Sequence, residues 1–347
     1  MSRSASTNRY FAIVSGENAE LARVEIETLL QMVDSKYKVS WHERVAIIEG
    51  VLDPTDFLLQ RAALLKEAGT IVFETDSLDG AALEIPDDLL KSTVSSSETF
   101  SIRTKSFLHS GQPEIRKSIV VELGDKIQRT TAARVHLENP DIRILVLVMS
   151  DRVLICMSKE SQLRGQLMRR KPGNKPFFHP SMMNAFLART MCNLARVMPN
   201  EIVLDPFCGG GGILCEIAYI GARSIGLELN WSLLKGASMN LAGIQNSDYS
   251  LIQGDARCLP IRNCHRVVTD PPYGRASSTR GEKAVRLVTT LFENAEETIL
   301  PGGSMCTCHS SGMGVPEVIR QLGFEIECQI RFRVHSGLVR EVITINL

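Results

Sequence analysis

The sequence predicts an α/β protein. It should end in a mainly parallel, doubly wound sheet with an antiparallel last strand, preceded by a ferredoxin-like module and a second, basic α/β module. Three observations carry this. After residue 175, short apolar runs alternate with amphipathic ones in strand–helix order, the pattern of a parallel sheet covered by helices on both faces. Two long strand-like runs, 324–334 and 338–346, are separated only by His335, Ser336 and Gly337, a hairpin-length turn that makes the final pair antiparallel. The first eighty residues read βαββαβ, the order of a ferredoxin-like module.

In chain order, strands are expected at 10–15, 38–42, 45–51 and 71–74, with helices at 19–33 and 55–66. Asn18 and Asp53 stand where N-caps belong, Pro54 fits a first helical turn, and Gly69 is placed to stop the second helix. Residues 77–97 are rich in Ser, Asp and Pro and read as a boundary. A strand at 100–105, a helix at 114–127 and paired strands at 144–149 and 153–157 follow. Pro172, Gly173 and Pro176 make 164–176 an extended connector rather than a helix. The last domain offers strands at 202–207, 224–228, 249–253, 266–269 and 304–308, with helices at 213–220, 232–244 and 285–299. The expected division is 1–80, 81–160, a basic linker at 161–178, and 179–347.

The 347 residues are 44% hydrophobic and 22% charged, ordinary globular proportions that argue against a disordered or fibrous chain. The longest apolar run, 144–149, is far short of the ~20 residues of a membrane span, and the start of the chain is polar through Arg9. Nine cysteines without a Cys-x-x-Cys pair signal neither a disulfide framework nor a zinc site, so reduced thiols and a cytoplasmic setting are expected. The 39 basic and 39 acidic residues cancel, but not locally. Residues 1–98 hold 9 Lys/Arg against 17 Asp/Glu, residues 99–175 hold 15 against 7, and the remainder is neutral. The middle segment is therefore the candidate for binding a polyanion, with Arg103, Lys105, Arg164, Arg169, Arg170 and Lys171 as candidate contacts. A solvated basic face would carry the same charge.

The chemistry concentrates at four strand ends. LDPFCGGGG, Leu204 to Gly212, lies between a strand and a helix, where glycines such as Gly209 and Gly211 let backbone pass close to a ligand. It does not match the dinucleotide fingerprint, because Leu214 stands where a third glycine is needed, and no P-loop lysine follows. Glu228 ends the second strand, 23 residues after Asp205, and suits a pair of ribose hydroxyls. Asp255, in Gly254-Asp255-Ala256, follows the third strand and can accept from an adenine amino group. Asp270-Pro271-Pro272-Tyr273-Gly274 ends the fourth. The prolines fix the backbone and remove two donors, so the Pro271 carbonyl and the Asp270 carboxylate can both accept from one exocyclic amino group, with Tyr273 supplying a ring for stacking.

In this order and spacing, LDPFCGGGG, GLELN, GDA and DPPYG resemble the motifs of class I (Rossmann-like) S-adenosylmethionine-dependent amino-methyltransferases. KPFFHP, Lys175 to Pro180, resembles the segment covering the methionine end of the cofactor in that family. The whole chain, with a basic second module resembling a THUMP domain, is similar to the archaeal and eukaryotic tRNA guanine-N(2) methyltransferases that act on guanosine at position ten. The resemblance implies S-adenosylmethionine held by Phe178, His179, Pro180, Asp205, Pro206, Gly209, Gly211, Glu228, Leu229, Asp255, Ala256 and Asp270, and catalysis by Asp270, Pro271, Pro272 and Tyr273. It also implies tRNA as partner, with Arg275 as a candidate contact, and a small zinc-binding activator protein that adds a strand to the sheet edge at 249–253. The Ser- and Arg-rich stretch from Arg275 to Lys283 reads equally as a loop that orders over the target nucleoside and as an ordinary surface loop. The competing readings are an amino-methyltransferase for another guanosine or for adenine in RNA or DNA, and a non-catalytic RNA-binding subunit.

Overall fold

The computed structural model of the protein describes residues 8–76, 84–107, 113–272, 281–335 and 337–347. Its elements are β1 (Asn8–Val14), α1 (Ala19–Val33), β2 (Lys38–His42), β3 (Val45–Gly50), α2 (Thr55–Arg61), β4 (Leu65–Thr75), α3 (Asp87–Thr93), β5 (Thr99–Ser106), α4 (Pro113–Thr131), β6 (Arg134–Val135), β7 (Ile142–Val148) and β8 (Val153–Glu160). There follow α5 (Gln162–Arg169), α6 (Ala185–Leu194), β9 (Ile202–Asp205), α7 (Gly212–Ile220), β10 (Arg223–Glu228), α8 (Trp231–Ala242), β11 (Tyr249–Gln253), β12 (Cys264–Thr269), α9 (Gly281–Glu293), α10 (Ala295–Thr298), β13 (Ile299–Ser310), α11 (Val315–Gln321), β14 (Ile326–His335) and β15 (Leu338–Asn346). The chain forms two compact units, one of residues 1–16, 33–60 and 65–162, the other of 17–32, 61–64 and 163–347.

The first unit is built on one eight-stranded sheet, ordered β2-β3-β1-β4-β8-β7-β5-β6. Its first four strands have the antiparallel ferredoxin-like order, and β4 continues them by pairing with β8. Ile144, Val146 and Val148 of β7 pack with Ile119, Leu123 and Ile127 of α4, while Leu145 and Leu147 join Phe11, Ile13, Val45 and Ile47 on the opposite face. That alternation is the period-2 signature of a sheet buried on both sides.

The helix expected over 55–66 stops at Arg61, and the strand expected at 71 begins at Leu65. The residues between are good helix formers, but the Glu25 carboxylate captures the Ala63 and Leu64 N–H groups at 3.0 and 2.9 Å, which a continued helix would have bonded internally. Gly69 serves a different purpose from the helix stop expected of it. It lies within β4, where a Cβ would fall 1.9 Å from the Met157 carbonyl oxygen, so only glycine lets β8 approach. Asp53 does cap the second helix, its Oδ1 accepting from the Thr55 N–H at 2.8 Å.

Residues 164–176 are not extended throughout, because α5 runs to Arg169 and a short 3₁₀ turn covers Pro172–Asn174. The first proline lies beyond the helix, and Leu163 and Leu167, one turn apart, are both buried. The second unit carries a seven-stranded sheet ordered β11-β10-β9-β12-β13-β15-β14. β11, β10, β9, β12 and β13 are parallel, and β15 runs antiparallel between β13 and β14. The carboxyl ends of β9, β10, β11 and β12 therefore share one rim, where open α/β sheets bind ligands.

Candidate active site

Asp205 ends β9 and is 1% exposed. Its Oδ1 accepts from the Thr269 hydroxyl at 2.7 Å and from the Phe207 N–H at 3.1 Å. Burial pushes its carboxyl up to about 7, with the nearby Asp270 and Glu228 adding to the effect. The glycine loop follows at once. Gly209 and Gly211 adopt φ of +49° and +79°, conformations that glycine takes without strain, and Gly211 opens α7 without a side-chain cap. A Cβ on Gly211 would sit 3.1 Å from that of Ala237, so side chains are excluded by space as well as by conformation.

Glu228 is fixed by two backbone donors, Gly209 N–H at 3.0 Å and Asn230 N–H at 2.8 Å, one to each carboxylate oxygen. Each oxygen keeps acceptor capacity on the rim. Beside it, Leu229 is 66% exposed, while Ala256 is buried. Asp255 is engaged by Arg257, whose Nε and Nη2 lie 3.0 and 2.5 Å from Oδ2, and this holds its carboxyl below the usual carboxylate range.

Asp270 follows β12, with Pro271 buried and Pro272 half-buried. Its carboxyl is shielded from water, which pushes it up to about 7, against the lowering influence of Arg340, whose Nη2 stands 3.5 Å from Oδ2. Tyr273 and Arg275 lie outside the described residues.

The segment 177–183 lies against the glycine loop through a contact that motif reading did not select. Asn240 of α8 accepts from the Phe177 N–H at 2.9 Å and donates to the carbonyls of Phe177 at 3.1 Å and Gly210 at 2.8 Å. The Phe177 ring occupies the space that a Cβ on Gly236 would need, at 2.2 Å, and Met182 covers Gly210. Phe178 is 55% exposed, His179 pairs with the Ser181 hydroxyl at 2.7 Å, and Pro180 is exposed. The glycine loop, Glu228 and the segment 177–183 are thus brought together from residues far apart in the chain, with Phe177 and Asn240 separated by 63 positions.

Residues 172–342 match a protein family described as UPF0020, an RMKL-like methyltransferase domain, and residues 74–158 match the THUMP domain. The chain thus matches a THUMP domain followed by an RMKL-like methyltransferase domain. It is 29% identical over 341 residues to the tRNA (guanine(10)-N2)-dimethyltransferase of Methanothermobacter thermautotrophicus, covering 96% of this chain and 98% of the relative. The protein of the same name from Methanocaldococcus jannaschii is 28% identical, covering 95% and 97%. Among solved structures, TrmN from Thermus thermophilus shares the fold with a TM-score of 0.55 at 18% identity, over 97% of this chain and 99% of that one.

The candidate RNA contacts differ in availability. On the first unit, Arg103 pairs with Glu160 at 2.6 Å and with the buried Glu67, which also holds Lys105. Both cations remain partly exposed. On the second, Arg164 sits 5.3 Å over the Phe186 ring, and Arg169 and Lys171 are exposed. Arg170 is different. Its side chain is 10% exposed, stacked 4.0 Å over Tyr219 and paired at 3.4 Å with the fully buried Glu216. Its charge is used inside the domain, a role hidden in the sequence because Glu216 lies far along the chain, on α7.

Proposed function

We propose that the protein transfers a methyl group from S-adenosylmethionine to the exocyclic amino nitrogen of a guanosine in tRNA, at position ten. The observation that carries this is the single rim on which the glycine loop, Glu228, Asp255 and Asp270-Pro271-Pro272 converge, in a chain aligned along nearly its whole length with relatives named tRNA (guanine(10)-N2)-dimethyltransferase. The residues present suit the cofactor. Glu228 would accept from the ribose hydroxyls, Leu229 and Ala256 would flank the adenine, and Asp205, Pro206 and the loop at Gly209 and Gly211 would receive the methionine moiety under Phe178, His179 and Pro180. Asp255 would accept from the adenine amino group as Arg257 shares or leaves it.

The bound cofactor supplies a methyl group already activated on a sulfonium, so the protein's task is to position the acceptor and exclude water. Asp270 and the Pro271 carbonyl would each accept one hydrogen of the guanine amino group, directing its nitrogen lone pair along the line of transfer. Positive charge that builds on that nitrogen, as its bond to the methyl carbon forms and the carbon–sulfur bond breaks to leave a neutral thioether, would be stabilised by the Asp270 carboxylate. The proton then leaves to Asp270 or water. A base within a folded RNA helix is inaccessible to such a site, so the guanosine would be flipped out, with Tyr273 offering a stacking surface and Arg275 a contact beside it.

The test is methyl incorporation from labelled cofactor into two tRNA transcripts that differ only in guanosine or adenosine at position ten. Label should enter only the first. Equal labelling would place the target elsewhere, and no labelling of either would reject the activity.

Binding of tRNA should weaken steeply with salt, and neutralising the exposed Arg169 and Lys171 should lower the slope of log affinity against log salt by about one for each charge removed. An affinity indifferent to salt would contradict phosphate contact. The same reading includes a small zinc-binding activator protein that adds a strand to β11, the edge of the second sheet. Its addition should raise both thermal stability and cofactor affinity, and no change in either would remove the activator from this account. All nine cysteines are free thiols, as suits the cytoplasm, and among the described residues no helix is long and apolar enough to cross a membrane.

A further inference from the structure

The β14–β15 hairpin brings a cation to the reactive rim. Thr269, the last residue of β12, pairs with Thr307 of β13, and three residues later on β13, Ser310 pairs with Arg340 of β15. Side chains alternate along β15. Glu341 is held by Arg331 at 2.6 Å and Gln329 at 2.7 Å, so its neighbour Arg340 faces the other side of the sheet, where Asp270 lies. The two side chains are 17% and 14% exposed, so water screens this pair far less than a surface ion pair. Among the described residues, the titratable groups facing Asp270 are Asp205 from β9, Cys308 from β13 and Arg340 from β15, and of these Arg340 alone is positive.

We propose that Arg340 is a positioning residue for methyl transfer: its guanidinium keeps the Asp270 carboxylate ionised and in one orientation, with lone pairs left for the acceptor amino group. The inference rests on the function proposed above. A protonated Asp270 would present a donor where the reaction needs an acceptor. Burial favours that protonated form, and Arg340 opposes it. The charge is supplied by sheet pairing, from a strand remote from Asp270 in the chain.

The experiment is the pH profile of kcat/KM for the wild type, Arg340→Gln and Arg340→Lys, with S-adenosylmethionine affinity measured on each. Activity requires ionised Asp270, so it is present above the carboxyl's pKa and lost as pH falls through it. Without its cation, that pKa rises and the acidic limb moves to higher pH by about one unit or more. Arg340→Gln should therefore lose about tenfold or more on the acidic limb and recover to within about threefold of the wild type near pH ~9. Arg340→Lys keeps the charge without the planar fork, so its limb should stay near the wild-type position at reduced turnover. Should Arg340→Gln fail to bind cofactor or fold, the limb of Arg340→Lys decides. An equal fold-loss at every pH, or a lysine limb displaced as far as expected for glutamine, would overturn the role of Arg340. A wild type that methylates no guanosine at any pH would instead reject the underlying function.

Discussion

Asp270→Asn is expected to lower kcat for methyl transfer by about 10²–10³-fold or more, the scale for losing one preorganised electrostatic contact to the reacting atoms. The substitution preserves size but replaces one acceptor oxygen with an amide donor that opposes the incoming amino group. Cofactor affinity should change only a few-fold, because Glu228 and the glycine loop hold their geometry without Asp270. A loss of kcat with KM for tRNA nearly unchanged marks an interaction made mainly in the transition state. If turnover survives within a few-fold, or if cofactor binding is lost with it, the role assigned to Asp270 is wrong.

Glu216→Ala should destabilise the fold by about 3–5 kcal/mol, far more than an ordinary surface substitution. Glu216 is fully buried on α7, one turn after the glycine loop, and its Oε2 lies 3.1 Å from Arg189 Nε and 3.4 Å from Arg170 Nη1. Arg189 is 3% exposed, so removing the carboxylate leaves two guanidinium groups shielded from water without a counter-charge. The urea midpoint should fall accordingly, and Glu216→Gln, which keeps an acceptor, should fall less. A stability for the alanine variant within about 1 kcal/mol of the wild type would show that Arg170 and Arg189 find other partners.

What the sequence disclosed and what it hid divide along sequence distance. The acids at strand ends, the glycine loop and the Asp-Pro-Pro run are local features, each dictated by where a strand must stop and backbone must approach a ligand, so they could be read without a fold. The element order disclosed the ferredoxin-like strand pairing and placed 249–253 at a sheet edge, because right-handed crossovers leave few arrangements. Asn240 and Phe177 could not be paired in advance, since nothing local marks an asparagine inside a helix as the clasp of a loop 63 residues away. Arg170 looked like a phosphate contact because its basic neighbours are adjacent, whereas its neutralising partner is remote. The start of β4 was obscured by helix-favouring residues that Glu25 and two neighbouring strands draw into other pairings. Arg340 was invisible for the same reason, as only the pairing of β13 with β15 delivers it to Asp270.

Methylation of a guanosine amino group in tRNA by this rim is tested most directly by mass spectrometry of nucleosides released from unmodified tRNA after incubation with the purified protein and S-adenosylmethionine. The expected product is N2-methylated guanosine, mapped to position ten and absent from the Asp270→Asn reaction. Methylated adenosine, a methylated guanosine confined to another position, or unmodified nucleosides from a protein shown to bind the cofactor would contradict it.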